Sequence, residues 1–381
     1  MELSKIEQGI TVLTVRGCSY FDELISMEYL KQRVRILDSK YPWLHYRVEN
    51  NQLFEDGAPV FYEKVFPMEN KLDFVSTVMS DCYSSDIASF WLCSMEGSKS
   101  GALVVVVCHS FTDGPNIGHF LSDLISNEQH FVSQGRYDWK QMIENIEENL
   151  QAVDTTNMLS VAPNPSPSAD PIFLRAKVFS YDPAPLLSFC KKHGVRPQSV
   201  FSAAELYSII QSLPHPDEFG AVNLISCNAR SHFGLPEDAS LFASSGVYTR
   251  VEINSKTKIL DTVIDIHNQL HQLIPKHVKG VFRANSLGTN NIVIPTASIS
   301  NIGRFNTPHK DIWIQGGMSV YPEFMRPLRN FTFHGVTTGG QLNIVCTYLV
   351  PGCDEDFITI FTNHFNEFLT NIEGLSSKTF F

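Results

Sequence analysis

A histidine is followed four residues on by an aspartate and a glycine, His109-Ser-Phe-Thr-Asp113-Gly114, directly behind the apolar run Leu103–Cys108. An imidazole titrates near neutrality, so at this position it can take a proton from a hydroxyl and later return it. Held at the mouth of a buried strand, the ring can be aimed at a reacting atom. Asp113 can bias the histidine, hold the local geometry, or simply cap a helix opening at Pro115. Gly114 leaves space where a side chain would narrow a substrate passage. A hydrogen-bonded core histidine is the plainer account of His109, and the six residues alone do not choose between the two.

Other constellations carry less. His267 and His271 lie one helical turn apart, but Asn-Gln-Leu separates them, without the glutamate of a zinc protease helix, and a solvated face accounts for them. There is no G-x-S-x-G elbow, no P-loop and no G-x-G-x-x-G. Gly316-Gly317 and Gly339-Gly340 read as bends or bulges in strands rather than as phosphate cradles. No metal site is assigned.

The elements that must position His109 follow from periodicity. Glu23–Leu37 has helical spacing, Tyr41-Pro42-Trp43 ends that helix, and Leu44–Val48 alternates like a strand. Asn50-Asn51 and Asp56-Gly57 mark turns, and Lys71–Tyr83 reads as a further helix. Ser89–Met95 and Ala102–Cys108 read as adjacent strands, and a helix opens at Pro115 and runs through Ile125. Val153–Pro171, rich in Pro, Ser and Asn, is expected to be a linker, which divides the chain into 1–152 and 172–381. Beyond it come a strand at Phe173–Ser180, a helix at Pro183–His193 stopped by Gly194, and an amphipathic helix at Pro197–Ser212. Strands are expected at Ala221–Ser226, Gly246–Ile253, Asn291–Ile299, Ile312–Val320, Asn330–Val336 and Gln341–Leu349, and a last helix at Glu355–Ile372.

With 381 residues the chain can bury two cores, and 43% hydrophobic against 18% charged residues fits packed globular domains. A net charge of −11 without a Lys/Arg cluster argues against nucleic acid, which needs a basic face. The eight cysteines are scattered with no Cys-x-x-Cys pair, as expected of a reducing, cytoplasmic protein. No N-terminal stretch reads as a signal peptide and no run approaches a membrane span; the triplet Asn330-Phe-Thr332 is then read as chance.

The spacing His-x-x-x-Asp-Gly after a strand and before a helix resembles the signature of the chloramphenicol acetyltransferase-like acyltransferases, which include alcohol acetyltransferases, plant BAHD acyltransferases and condensation domains. Further segments are similar in the same order. They are Tyr41-Pro-Trp-Leu-His-Tyr-Arg-Val48, then Leu186–Val195 with Ser199–Ala204, then Asn223–Arg230, and Ile299-Ser300-Asn301-Ile302-Gly303. The BAHD element D-F-G-W-G is absent, which leaves the alcohol acetyltransferase branch as the nearer match.

The resemblance implies an α/β fold of two subdomains, each a mixed sheet with flanking helices, and an active-site tunnel between them. It implies His109 as general base, Arg230 as the buried partner of Asp113, and Gly114 as support of the site. Ser300 and Asn301 are implied as oxyanion donors; an ordinary turn after a strand is the plainer account of that pair, and a solvated loop arginine of Arg230. The implied reaction moves an acyl group, acetyl by preference, from acyl-CoA to an alcohol on a small, rather apolar metabolite. Acyl-CoA is then a co-substrate, no cofactor stays bound, and the enzyme is expected to be a monomer. Transfer from an acyl carrier protein, or a member of the fold that binds without catalysis or uses its tunnel for a different reaction such as cyclisation, are the alternatives.

Overall fold

The computed structural model describes residues 13–126, 139–147, 149–161, 173–289, 293–319, 331–350 and 353–381, together with Leu3 and Gln8. From the N-terminus the chain runs β1 (Leu13–Phe21), α1 (Met27–Leu37), β2 (Arg47–Glu49), β3 (Gln52–Phe54), β4 (Val60–Phe66), α2 (Lys71–Asp81), β5 (Ala88–Met95), β6 (Gly101–Cys108), α3 (Gly114–Ile125) and α4 (Trp139–Ile143). It continues with β7 (Phe173–Tyr181), α5 (Ala184–His193), α6 (Pro197–Ser212), β8 (Glu218–Asn228), β9 (Ser244–Asn254) and α7 (Ile259–Leu287). β10 (Ala297–Phe305), β11 (Ile312–Ser319), β12 (Phe331–Thr338), β13 (Gln341–Val350), α8 (Glu355–Thr370) and α9 (Ile372–Leu375) complete it.

β6 is the middle strand of a five-stranded sheet ordered β11-β1-β6-β5-β4, and all its residues are buried. Leu103, Val105 and Val107 share a core with Phe120 and Leu121 of α3, whereas Val104 and Val106 meet Phe74, Val75 and Val78 of α2. A strand covered on both faces needs an unbroken apolar run instead of alternation, and each buried valine stabilises the fold by roughly 1.5–3 kcal/mol. β4 pairs parallel to β5 and the other neighbours are antiparallel, so the sheet is mixed.

The second sheet is six-stranded, ordered β7-β13-β12-β10-β8-β9, with β10 parallel to both β12 and β8. One face carries α6 and α8, where Phe333 stacks on Phe365 at 3.9 Å. The other face turns to the first body: α2 lies against β7, β11 against β12 and β13, and α3 against β10. β11 pairs antiparallel with β1, so residues from the later part of the chain close the first sheet. The chain is thus a mixed α/β structure of two sheet-and-helix bodies.

Some expectations differ from the structure. Leu44–Val48 is not one strand: Pro42–His45 form a 3-10 turn, and only Arg47–Glu49 extend as β2. Pro42 opens the turn, and Trp43 is drawn into the core beside Tyr41 and Phe120. β1, β4 and the 29-residue α7 were not expected; α7 contains Pro275, which interrupts a helical reading of the sequence. His267 and His271 lie on its outer side with ring centroids 4.5 Å apart. β10 begins at Ala297, later than expected, and Asn291, Val320, Asn330 and linker residues 162–171 lie outside the described residues. The β12–β13 hairpin turns on Gly339 and Gly340, both at positive φ, which only glycine adopts freely. Among the described residues no helix is long and apolar enough to cross a membrane.

Candidate active site

His109 stands where β6 ends. Its N–H donates to the Leu13 carbonyl at 2.9 Å, continuing the pairing with β1 by one residue before the chain turns. Its Nδ1 lies 2.8 Å from the Thr112 carbonyl. A carbonyl only accepts, so Nδ1 carries the proton, and in the neutral ring Nε2 keeps its lone pair. The edge of Phe242, from the second body, closes against the imidazole at 5.1 Å and 86°. Burial pushes the His109 pKa below its ordinary value, although the Thr112 bond and the charge of Asp113 oppose that. The ring therefore stays neutral, the form a base requires.

Asp113 does not touch that ring. Its Oδ1 accepts the Asn116 N–H at 3.1 Å and so caps α3, the plain role open to it from the sequence. It also meets Arg230, with Nη1 2.8 Å from Oδ2 and Nη2 2.9 Å from Oδ1, and the Ala243 N–H adds a bond at 2.9 Å. Both side chains have zero exposure. Burial by itself would raise the aspartate pKa, but the adjacent guanidinium and its hydrogen bonds hold it below the usual range. Arg230 further donates to the carbonyls of Ala239 and Leu241, and both ions are saturated. The pair joins the start of α3 to the segment between β8 and β9.

Gly114 packs on Ile302 of β10, where a Cβ would come within 3.1 Å of the isoleucine side chain. The expectation of a glycine bordering open space is corrected: Ile302 fills that place, and the missing side chain lets the motif loop close onto the second sheet. β8 and β10 pair only as far as Ile225 and Ile299. Beyond that point Gln198 of α6 takes over, accepting the Asn301 N–H at 3.1 Å and donating to the Ile299 carbonyl at 3.4 Å. Ile299 belongs to the core under α6 and Ile302 to the core with α3. By the period of two, Ser300, next to Ile299 and in register with His334, lies on the sheet face away from α6, and Asn301 faces α6. The Asn301 amide oxygen accepts the Gly303 N–H at 3.2 Å and shapes a bulge. The two members of the expected oxyanion pair thus part company.

No family model and no curated protein sequence matches the chain. Solved structures do. The epimerization domain from the third module of tyrocidine synthetase B superposes with a TM-score of 0.67 at 12% identity, over 99% of this chain and 96% of that one. The first condensation domain of the calcium-dependent antibiotic synthetase gives 0.67 at 11%, over 100% and 97%. TRI3 trichothecene 15-O-acetyltransferase from Fusarium sporotrichioides gives 0.65 at 11%, over 97% and 94%. The chain has the fold of these condensation domains. At such identities the likeness is one of fold.

Within this condensation-type fold, His109, Asp113 and Gly114 come from the first body and Arg230, Ser300 and Asn301 from the second. Two supports escaped the sequence reading. Asn116 is wholly buried; its Oδ1 accepts from Trp43 Nε1 at 3.1 Å and Thr112 Oγ1 at 2.9 Å. It thereby fixes the residue whose carbonyl holds the histidine. His334 of β12 is 4% exposed, pairs in register with Ser300, and lies near enough to His109 to feel its charge. The alternation Phe331, Phe333 against Thr332, His334 marks His334 as facing away from the α8 core, but only strand pairing places it beside Ser300.

Proposed function

We propose that the chain is an acyltransferase that moves an acyl group, acetyl by preference, from a CoA thioester to a hydroxyl on a small, rather apolar metabolite. The observation that carries this reading is the Nδ1–H···O=C bond from His109 to Thr112, which leaves Nε2 basic at the end of β6. The acceptor hydroxyl oxygen attacks the thioester carbonyl carbon while Nε2 takes its proton. The carbonyl electron pair moves onto oxygen, and the Ser300 hydroxyl, on the sheet face away from α6, donates to that oxyanion. When the intermediate collapses the C–S bond breaks, and the departing thiolate receives the proton from His109. Asp113 and Arg230 hold the loop and take no proton. The substrates meet in a tunnel between the two bodies, and the protein works as a cytoplasmic monomer.

Likeness to synthetase condensation and epimerization domains favours one further reading, a donor carried as a pantetheine thioester on an acyl carrier protein. The chemistry at His109 is the same in both. Free thiol released from acetyl-CoA, octanoyl-CoA and acetyl-pantetheine, each with a panel of primary and secondary alcohols, tests the proposal. Alcohol-dependent release is expected, and its absence across the panel, together with no thermal shift by any thioester, would refute it.

A further inference from the structure

Among the described residues, His334 is a buried histidine beside the motif loop that the proposed chemistry leaves unused. It projects from β12 opposite Ser300 of β10, in parallel register, on the sheet face toward the first body. Its Nδ1 is buried without a hydrogen-bond partner among the described residues. Its other edge is turned to Gly316 of β11: a Cβ built there would lie 2.9 Å from Nε2 and 3.0 Å from Cδ2. Gly316 is itself part-exposed, and the imidazole packs so closely on its bare Cα that any side chain there would collide with the ring at Nε2.

A neutral imidazole has one N–H. On Nδ1 that N–H would be an orphaned buried donor, which proteins avoid more strictly than an unfilled acceptor. The proton therefore belongs on Nε2, the atom facing Gly316. We infer that His334 donates a hydrogen bond through Nε2–H to the oxygen that becomes the oxyanion, alongside the Ser300 hydroxyl. This rests on the acyl-transfer reading of the same site. The negative charge that forms when the acceptor attacks then meets two donors from neighbouring strands, while His109 holds the proton. Burial, and the nearness of His109, push the His334 pKa to about 3, so the ring remains a neutral donor and never competes for the acceptor's proton. Gly316 matters because any side chain there would collide with the ring and push Nε2 out of place.

The test combines kinetics with ring spectroscopy. In the thiol-release assay with acetyl-CoA and 1-hexanol, His334→Ala and Gly316→Ala should each lower kcat on the order of 10²-fold with little change in KM, and His334→Gln should recover much of the loss through its amide N–H. Long-range ¹H–¹⁵N spectra of the histidine-labelled protein should show His334 neutral and Nε2-protonated from about pH 5 to pH 8. That measurement needs no turnover. An Nδ1-protonated or cationic ring, or an unchanged kcat in folded His334→Ala, overturns the inference. If His109→Ala abolishes turnover and His334→Ala does not, only the inference falls. If neither variant matters, the acyl-transfer reading falls as well.

Discussion

Asp113 and Arg230 face each other with two guanidinium nitrogens on two carboxylate oxygens, at 2.8 and 2.9 Å, wholly removed from water. One residue begins the helix behind the histidine and the other follows a strand of the opposite body. The pair therefore bolts the bodies together where the base sits. Breaking a buried pair from one side leaves an uncompensated charge and costs about 3–5 kcal/mol. Arg230→Ala and Asp113→Asn should each lose stability of that order in urea unfolding. A change within error would remove the pair from the account.

The same pair sets an acid limit. Asp113 has a depressed pKa in the folded state, so its stabilisation is present above the unfolded value near 4 and is lost as pH falls through the lower folded value. Unfolding free energy of the wild type should drop as pH falls below about 4, and Asp113→Asn should show a shallower drop.

His109 must be neutral to act, and burial lowers its pKa from 6.5. The acidic limb of kcat/KM against pH should have its midpoint below 6.5, with full activity already reached at neutrality. A midpoint above 7 would mean a ring stabilised as the cation, contrary to its burial.

The motif and the fold around it differ in how far they show in one dimension. The run Leu103–Cys108 announces a strand covered on both faces, and the residues just beyond it announce a fixed imidazole. β1 is hidden because Arg16 and Gly17 interrupt its apolar pattern. Arg16 is nonetheless buried, its Nη1 donating to the Met79 carbonyl of α2 at 2.7 Å, a long-range partner that local pattern cannot supply. Asp113 illustrates a different limit. Helix capping and ion pairing are rival readings in sequence, yet the carboxylate does both with different lone pairs. His334 and Ser300 are 34 residues apart and become neighbours only through strand register.

Gly114 offers a packing test. A valine there would collide with Ile302 and should destabilise the fold by about 1–3 kcal/mol. Ile302→Ala should recover part of the loss in Gly114→Val, so a double-mutant cycle should give a favourable coupling. Strict additivity would place the two residues out of contact.

Glu205 of α6 is buried, accepts the Ser298 N–H at 3.2 Å through Oε1, and leaves Oε2 without a partner among the described residues. Burial raises its pKa to about 8. A raised folded pKa means its contribution is present below the unfolded value of 4.5 and is lost as pH rises through 8. Glu205→Gln keeps an acceptor for Ser298 without the charge. It should match the wild type in acid and exceed it in stability at pH 9, and equal stability at both pH values would contradict the buried carboxylic acid.

The central claim is that Nε2 of His109, freed by the Thr112 carbonyl, takes the acceptor's proton. Its most direct test is the turnover of His109→Ala beside the wild type, with an alcohol and thioester that the wild type uses. The account predicts a fall on the order of 10²-fold or more in kcat with the fold intact by thermal melting. Near-normal turnover in that variant would contradict it.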